Sequence, residues 1–291
     1  MAFQHLIELV MGLNREASKL AALGAELSPD TASGELATRT RAVVEAMSPD
    51  ALEGLSDEDR AAGHAFVRMV LRQALDLAED PGRAAHWDYE DPLILDMQGR
   101  GSAVVARGIM DYAGRTPDFA DRLAAPDARF LDVGSGAGWI SITMARAFPE
   151  LSVDGIDIHA PALALATKNL AATDLSGRVT FHDRNVLDLD AEQTYTAIWL
   201  PLFFLPREVA EQAIATLVGA LVPGGILFLG NFRLSDDPLA RALVEMQVTR
   251  WGGFTWEEAD LVDQATAQGL DPAGDAWEGG STALLAMRKP G

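Results

Sequence analysis

The chain contains 291 residues, of which 48% are hydrophobic and 23% are charged, as is typical of a soluble globular protein with one large domain or two smaller ones. Its 43 acidic and 23 basic residues give a net charge of −20, which disfavours nucleic acids and anionic membrane surfaces as partners. The chain has no cysteine, which excludes disulfides, cysteine nucleophiles and thiolate metal sites and agrees with a cytoplasmic location.

The beginning of the chain is predicted to be helical. Its first residues include Glu8 and lack the basic run that precedes the apolar core of a signal peptide, so no signal peptide is expected. Apolar residues at helical spacing predict three helices, at 3–23, 34–47 and 56–78. Residues 1–88 are therefore predicted to form an all-helical domain that caps a ligand site, forms a dimer, or both.

A segment that mixes aromatic and polar residues comes next. It runs from His86 to Pro92 and leads into a long helical stretch, 93–112, interrupted by Gly99 and Gly101. Glycine weakens a helix, and inside a helical pattern it often marks close packing or a ligand. Residues 89–120 are interpreted as a linker helix that closes the site formed by residues 121–291.

The pattern from residue 121 onward alternates between strands and helices. This alternation predicts an α/β fold, with a doubly wound, mostly parallel, seven-stranded sheet covered by helices on both faces. The predicted strands are 128–133, 152–157, 178–182, 195–200, 224–230 and, around the turn Glu278-Gly279-Gly280, 270–277 and 282–288. The predicted helices are 139–148, 160–172, 206–220, 237–247 and 255–268.

The most informative stretch joins the first strand of this sheet to the following helix. Its glycines, at positions 134, 136 and 138, permit a positive φ and the close approach of a ligand, and the helix N-terminus offers unpaired N–H groups. Asp157 ends the second strand about 20 residues later, the spacing of a carboxylate that binds ribose hydroxyls. Trp139 stands where a dinucleotide-binding turn has a small residue. A nucleotide-type ligand is therefore predicted at the carboxyl ends of the strands.

With these flanks, the run Phe130–Gly138 resembles motif I of the class I S-adenosylmethionine (SAM)-dependent methyltransferases that act on small molecules. The turn Pro223-Gly224-Gly225 is similar to the family's turn into its fifth strand. The resemblance covers roughly residues 90–291. It implies SAM as the cofactor, S-adenosylhomocysteine (SAH) as the product, no metal, and an antiparallel final strand.

The resemblance also implies which residues hold the cofactor. Asp132 would orient its amino acid end, and Asp157 would accept both ribose hydroxyls. Asn185 would bind the adenine amino group, with Asp183 as the alternative. The full set of predicted cofactor-binding residues is Asp132, Gly134, Ser135, Gly136, Gly138, Asp157, Ile158, Asn185, Val186, Leu200 and Gln98.

The acceptor pocket is predicted from aromatic residues on two segments. The segment after the fourth strand has no Asn-Pro-Pro-Tyr-like run, which base and amide N-methyltransferases carry, and no acid that would bind a metal. Its aromatic side chains suit a sulfonium cation. The predicted pocket residues are Trp87, Tyr89, Arg100, Trp199, Phe203 and Phe204.

No histidine follows residue 182, so the general base of plant-type O-methyltransferases is missing from its usual place. His86 and Tyr89 are the candidates for a catalytic role. Gln98 or Arg100 is the candidate partner of the cofactor carboxylate.

The predicted activity is SAM-dependent methyl transfer to a small apolar or aromatic molecule of the natural-product type. The enzyme is expected to be cytoplasmic and to form a homodimer through its N-terminal helices. One alternative keeps the cofactor but cyclises or transfers its aminocarboxypropyl arm. Another is a SAM-binding module without activity. A nicotinamide enzyme is disfavoured by Trp139.

Overall fold

The computed structural model describes residues 2–30, 33–277 and 282–291. The chain divides into two compact units, Met1–Arg83 and Ala84–Gly291. The segment 89–120 belongs to the second unit. The roles predicted for 1–88 and for 89–120 stay predictions. No helix in the described ranges is long and apolar enough to cross a bilayer.

The described part of the first unit contains α1 (Ala2–Leu27), α2 (Gly34–Met47) and α3 (Asp57–Glu79). These helices form where helical spacing of apolar residues predicts them. α1 and α3 pack closely because glycine stands at their crossing: a Cβ on Gly24 would lie 2.9 Å from Val67 Cγ1.

The second unit is built on a seven-stranded sheet with the order β3-β2-β1-β4-β5-β7-β6. The first five strands are parallel, and β7 runs antiparallel to both β5 and β6. The predicted α/β fold and the antiparallel final strand are confirmed. The strands are β1 (Arg129–Val133), β2 (Ser152–Asp157), β3 (Val179–Asp183), β4 (Tyr195–Pro201), β5 (Leu221–Phe232), β6 (Asp271–Asp275) and β7 (Thr282–Arg288).

Helices cover both faces of this sheet. They are α4 (Pro92–Arg115), α5 (Pro117–Leu123), α6 (Trp139–Ala147), α7 (Ala160–Ala171), α8 (Arg207–Ala220), α9 (Pro238–Arg250) and α10 (Glu258–Ala267). Neighbouring strand residues alternate between two apolar layers: Phe130 packs in the layer that contains α4 to α6, and Leu131 in the layer that contains α8 and α10. Both faces of the parallel strands are thus buried, as a doubly wound sheet requires.

Three local features differ from the sequence expectation. α4 is continuous across Gly99 and Gly101, because tertiary packing outweighs the low helix propensity of glycine. α5 is not among the predicted helices; Pro117 occupies its first turn, where proline is tolerated. β5 begins three residues before the predicted start, at Leu221 rather than at 224, because Leu221 pairs with Tyr195 ahead of a register shift. The predicted turn at 278–280 lies outside the described residues.

Candidate active site

A cavity of about 450 Å³ lies at the carboxyl ends of β1, β2 and β4, where open α/β sheets bind their ligands. Its size is within the range of small-molecule sites. Eleven of the residues predicted for the cofactor, the acceptor or catalysis line it: His86, Trp87, Gln98, Gly134, Ser135, Gly136, Asp157, Ile158, Asn185, Val186 and Phe204. The structure therefore brings residues from six separate elements and loops to one space.

The glycine-rich turn after β1 forms the floor of one end. Gly134, Gly136 and Gly138 have φ values of 65°, 53° and 81°, in the left-handed region that favours glycine. Gly138 starts α6 and does not line the cavity; a Cβ there would lie 2.5 Å from Phe181 Cζ. Gly134 and Gly136 thus present main chain to the cavity, whereas Gly138 lets α6 pack against β3.

Asp157 faces the cavity beside this turn. Its Oδ2 accepts a hydrogen bond from the main-chain N–H of Gly136 at 2.8 Å, and its Oδ1 accepts one from that of His159 at 2.9 Å. Each oxygen keeps a second lone pair, because a carboxylate offers about four acceptor sites. Burial raises the pKa of Asp157, and the main-chain hydrogen bonds oppose that rise. The carboxylate is therefore held rigidly with two acceptor sites available to a ligand.

Apolar side chains flank Asp157 on the ligand side. Ile158 is 69% exposed and Val186 is buried, and both line the cavity. Asn185 also lines the cavity, and its Oδ1 accepts a hydrogen bond from the N–H of Leu187 at 3.0 Å. Asp183, the alternative to Asn185, is exposed and lies outside the lining.

Helix α4 is fixed to the glycine-rich turn through Trp139. The indole Nε1 donates to Asp96 Oδ1 at 2.8 Å, and a Cβ on Gly99 would lie 2.9 Å from Trp139 Cδ1. Arg100 stacks on the Trp139 ring at 4.1 Å and pairs with Asp96 at 2.8 Å, outside the cavity lining. Gln98, on the same helix, does line it. Gly99 therefore serves close packing, and of the two predicted partners of a ligand carboxylate only Gln98 is in position.

The other end of the cavity is aromatic. Trp87, Phe204 and Trp251 line it, with ring centroids 5.1 Å apart for Trp87 and Phe204 and 5.0 Å apart for Phe204 and Trp251. Trp251 was not predicted, because it follows α9, far along the chain from both predicted segments. The sequence feature that could have indicated Trp251 is the adjacent pair Gly252-Gly253, which marks close packing. A Cβ on Gly252 would lie 2.9 Å from His86 Cα. We call Trp87, Phe204 and Trp251 the aromatic wall.

Four more residues predicted for the site do not line the cavity. Trp199 is 2% exposed and packs under Gly230, and Leu200 points into the opposite layer of the sheet. Phe203 lies beneath Phe204, at a centroid distance of 4.9 Å. The Tyr89 hydroxyl accepts a hydrogen bond from Arg250 at 2.6 Å, and its main-chain oxygen lies 2.8 Å from His159 Nε2. Tyr89 thus fastens its segment, Trp199 and Phe203 pack in the same layer as the wall, and Leu200 packs in the other layer.

Asp132 is also outside the cavity lining and is completely buried. Its Oδ2 accepts hydrogen bonds from the Ser141 hydroxyl at 2.6 Å and from the Ser141 N–H at 3.1 Å. Burial raises the pKa of Asp132 from 3.8 to about 7 despite these bonds. The Asp132 carboxyl group lies behind the glycine-rich turn, and its hydrogen bonds connect β1 to α6.

This shift predicts a pH effect on stability. Because the folded-state pKa of Asp132 lies above its unfolded value, the unfolded carboxyl ionises first, and the free energy of unfolding falls as the pH rises from about 4 to about 7. Asp132→Asn cannot ionise, so we expect its stability relative to wild type to rise by about 2 kcal/mol between about pH 5.5 and pH 8. Urea unfolding of both proteins at the two pH values measures this, with the exposed Asp183→Asn as the control. A relative stability that is the same at both values would contradict the prediction.

Comparison with known proteins identifies the domain. A sequence profile described as a methyltransferase domain matches residues 130–225, which span β1 to the start of β5. This segment is therefore similar to methyltransferase domains. The profile covers the glycine-rich turn, Asp157 and Asn185, which are the parts of this methyltransferase domain that line one end of the cavity.

Individual relatives match only part of the chain. The release factor glutamine methyltransferase of Bacteroides thetaiotaomicron is 37% identical over 92 residues, which are 31% of this chain and 32% of that protein. The carboxy-S-adenosyl-L-methionine synthase of Shewanella baltica is 28% identical over 154 residues, 52% of this chain and 63% of that protein. The chain thus matches less than two thirds of the length of either relative.

A solved structure extends the likeness to the whole chain. An O-methyltransferase family protein from Burkholderia thailandensis superposes with a TM-score of 0.69 over 100% of this chain and 98% of its own, at 18% sequence identity. At that identity the likeness concerns the fold alone. Within the described ranges, no group of three or more histidine, aspartate or glutamate side chains is placed to hold a metal ion.

Proposed function

We propose that the end of the cavity beside Asp157 binds SAM. The fit rests on the glycine-rich turn, whose positive φ values leave main chain facing the cavity, and on the two acceptor sites that the Asp157 carboxylate keeps for ribose hydroxyls. Ile158 and Val186 supply apolar surface for adenine, and Asn185 a polar group at its edge. Asp132 and Gly138 do not line the cavity, so we propose that they affect SAM binding only indirectly, by supporting the glycine-rich turn.

We further propose that the chain transfers the methyl group of SAM to a small apolar or aromatic molecule. The observation that carries this proposal is the continuity of one cavity from Asp157 to the aromatic wall. Bound SAM supplies an electrophilic methyl group on a sulfonium. The aromatic wall excludes water and favours a flat, apolar acceptor, and aromatic faces attract the sulfonium charge. The contribution of the chain is then to hold acceptor and methyl in near-attack geometry.

Two measurements test the proposal in sequence. Isothermal titration calorimetry with SAM is expected to detect binding by the purified protein. Incubation with SAM and a panel of phenols, naphthols and indoles is expected to give SAH and a product heavier by one methyl group, only when an acceptor is present. Absence of SAM binding would contradict this proposal, whereas SAM binding without turnover of any acceptor would favour a SAM-binding module without activity.

A second candidate function keeps SAM and changes the reaction. It is favoured by the likeness to a carboxy-S-adenosyl-L-methionine synthase, whose name denotes a product made from SAM itself. Incubation with SAM alone separates the two. Release of methylthioadenosine without any acceptor would support the second candidate, and so would transfer of the aminocarboxypropyl arm to one of the phenols in the panel assay.

The homodimer is a further part of the proposal, supported by α1. Seven apolar residues in the first half of α1 are between 44% and 73% exposed: Phe3, Leu6, Ile7, Leu9, Val10, Met11 and Leu13. A contiguous apolar surface of this kind marks an interaction site in soluble proteins.

We therefore expect Leu6→Glu combined with Val10→Glu to convert a dimer into a monomer of 31.1 kDa. Two buried charges per protomer would oppose association at this surface. Light scattering after size exclusion measures the mass, and the exposed Ser18→Glu on the same helix is the control. A wild-type protein that elutes with the mass of one chain would contradict the predicted dimer.

A further inference from the structure

The segment before α4 places a histidine–aspartate pair at the aromatic end of the cavity. His86 lines the cavity, and its Nε2 lies 2.9 Å from Asp88 Oδ2. The His86 side chain is 54% exposed, so a ligand can reach it. Trp87, between the two residues, belongs to the aromatic wall.

The pairing defines which ring nitrogen is available. An ionised carboxylate only accepts hydrogen bonds, so Nε2 of the neutral His86 ring carries its hydrogen and Nδ1 carries the lone pair. The carboxylate also stabilises the ring once it gains a proton at Nδ1. The turn after α9 packs against the main chain of His86, since a Cβ on Gly252 would lie 2.9 Å from His86 Cα.

The other titratable side chains that line the cavity are committed elsewhere. Both oxygens of Asp157 accept main-chain hydrogen bonds at the opposite end. His159 lies next to Asp157, which accepts a hydrogen bond from its main-chain N–H, and its Nε2 is 2.8 Å from the main-chain oxygen of Tyr89. Arg184 has no acceptor atom and cannot take up a proton at neutral pH. Among the described lining residues, His86 is thus the one positioned at the aromatic wall with a nitrogen lone pair.

We propose that His86 is a catalytic residue that removes the proton from a hydroxyl acceptor, and that Asp88 is the residue that positions it. This assignment rests on the proposed function and names its substrate class as aromatic molecules with a hydroxyl group. The acceptor oxygen forms a bond to the methyl carbon while its proton passes to His86 Nδ1. The carbon–sulfur bond breaks and its electron pair stays on sulfur, which gives the neutral thioether of SAH. The proton leaves the imidazolium for water after product release.

The first test is an equilibrium measurement with 4-nitrophenol, whose phenolate alone is yellow. Added to protein saturated with SAH at a pH at which free 4-nitrophenol is mostly neutral, it is expected to bind as the phenolate in wild type. His86→Gln keeps a donor for Asp88 and removes the basic nitrogen, so it is expected to bind the neutral phenol. The control is His182→Gln: His182 also lies near an aspartate, at 3.6 Å from Asp154, but outside the cavity lining.

The second test compares methyl transfer to two acceptors of different acidity. With 2-naphthol, which is neutral at about pH 8, His86→Gln is expected to lower kcat at least about 100-fold, the usual size of a general-base effect. With 4-nitrophenol, already ionised at this pH, the loss is expected to stay below about 3-fold. Asp88→Asn should fall between wild type and His86→Gln with 2-naphthol.

Equal losses with both acceptors would mean that His86 acts only through structure, and would overturn the inference. The inference is also overturned if wild type and His86→Gln bind equal fractions of phenolate, or if wild type binds no phenolate. None of these outcomes affects the calorimetric test of SAM binding, so failure of this inference is distinguishable from failure of the proposed function.

Discussion

Replacing Asp157 with alanine is expected to weaken SAM binding by about 100- to 10,000-fold. Each hydrogen bond between a carboxylate and a hydroxyl contributes roughly 1.5–3 kcal/mol, and the substitution removes two of them. It also removes the acceptor of the Gly136 N–H and so loosens the turn that faces the ligand. Calorimetry with SAM, or with SAH for a non-reacting ligand, measures the change in Kd.

The chain provides a matched control for this experiment. Asp183 is the partner of Asp157 in the register between β2 and β3, but it is exposed and outside the cavity lining. Asp183→Ala is expected to leave the Kd within about 2-fold, as an exposed charge at a distance contributes little. Asp157→Asn keeps an oxygen for one main-chain N–H and should give an intermediate Kd. Equal Kd values for Asp157→Ala and Asp183→Ala would place the ribose elsewhere.

Replacing Gly230 with alanine is expected to destabilise the second unit without touching the cavity. The added Cβ would lie 2.0 Å from Trp199 Cη2, between β5 and a ring that is 2% exposed. A core with no free space responds to such overpacking with a loss of about 2–3 kcal/mol, or a fall in Tm of roughly 6 °C for a unit of this size. Calorimetric unfolding measures the shift.

The opposite result is expected at Gly219, in the last turn of α8. No atom lies within 4 Å of a Cβ built there, and alanine favours a helix over glycine by roughly 1 kcal/mol. Gly219→Ala should therefore keep or slightly raise Tm. If Gly230→Ala leaves the Tm unchanged and alters the acceptor preference, Trp199 belongs to the acceptor pocket, as the sequence predicted, and not to the core.

The sequence predicted the sheet well because two local patterns determine it. The strands from Arg129 to Pro201 are short, and β1, β2 and β4 are each followed by a turn and a helix. The cofactor end of the site was also accessible, since its residues follow directly on three consecutive strands. The carboxyl ends of parallel strands lie at one edge of the sheet, and Gly134, Asp157 and Asn185, one from each strand end, all line the cavity.

The acceptor end was harder to predict, because its residues meet only through tertiary packing. Trp251 reaches the cavity from a turn about 50 residues after Phe204 and about 160 after Trp87, and no local pattern links the three. Trp199 and Phe203 were placed in the pocket because strand ends usually face the ligand. In β4, however, side chains alternate between the two layers, and the glycine at 230 makes room for the indole of Trp199 in the core.

The attachment of α4 to the turn at 134–138 bears on how this protein can acquire new acceptors. Because Trp139 is hydrogen-bonded to Asp96 and packed on Gly99, substitutions on this side of α4 will disturb the cofactor end at the same time. Among the described residues, the rings of the aromatic wall contact one another, and they lie before α4, after β4 and after α9. Libraries that seek a changed substrate range should therefore vary Trp87, Phe204 and Trp251 and leave α4 intact. Divergence among natural variants is expected to follow the same division, with rapid exchange of wall residues beside a nearly fixed α4.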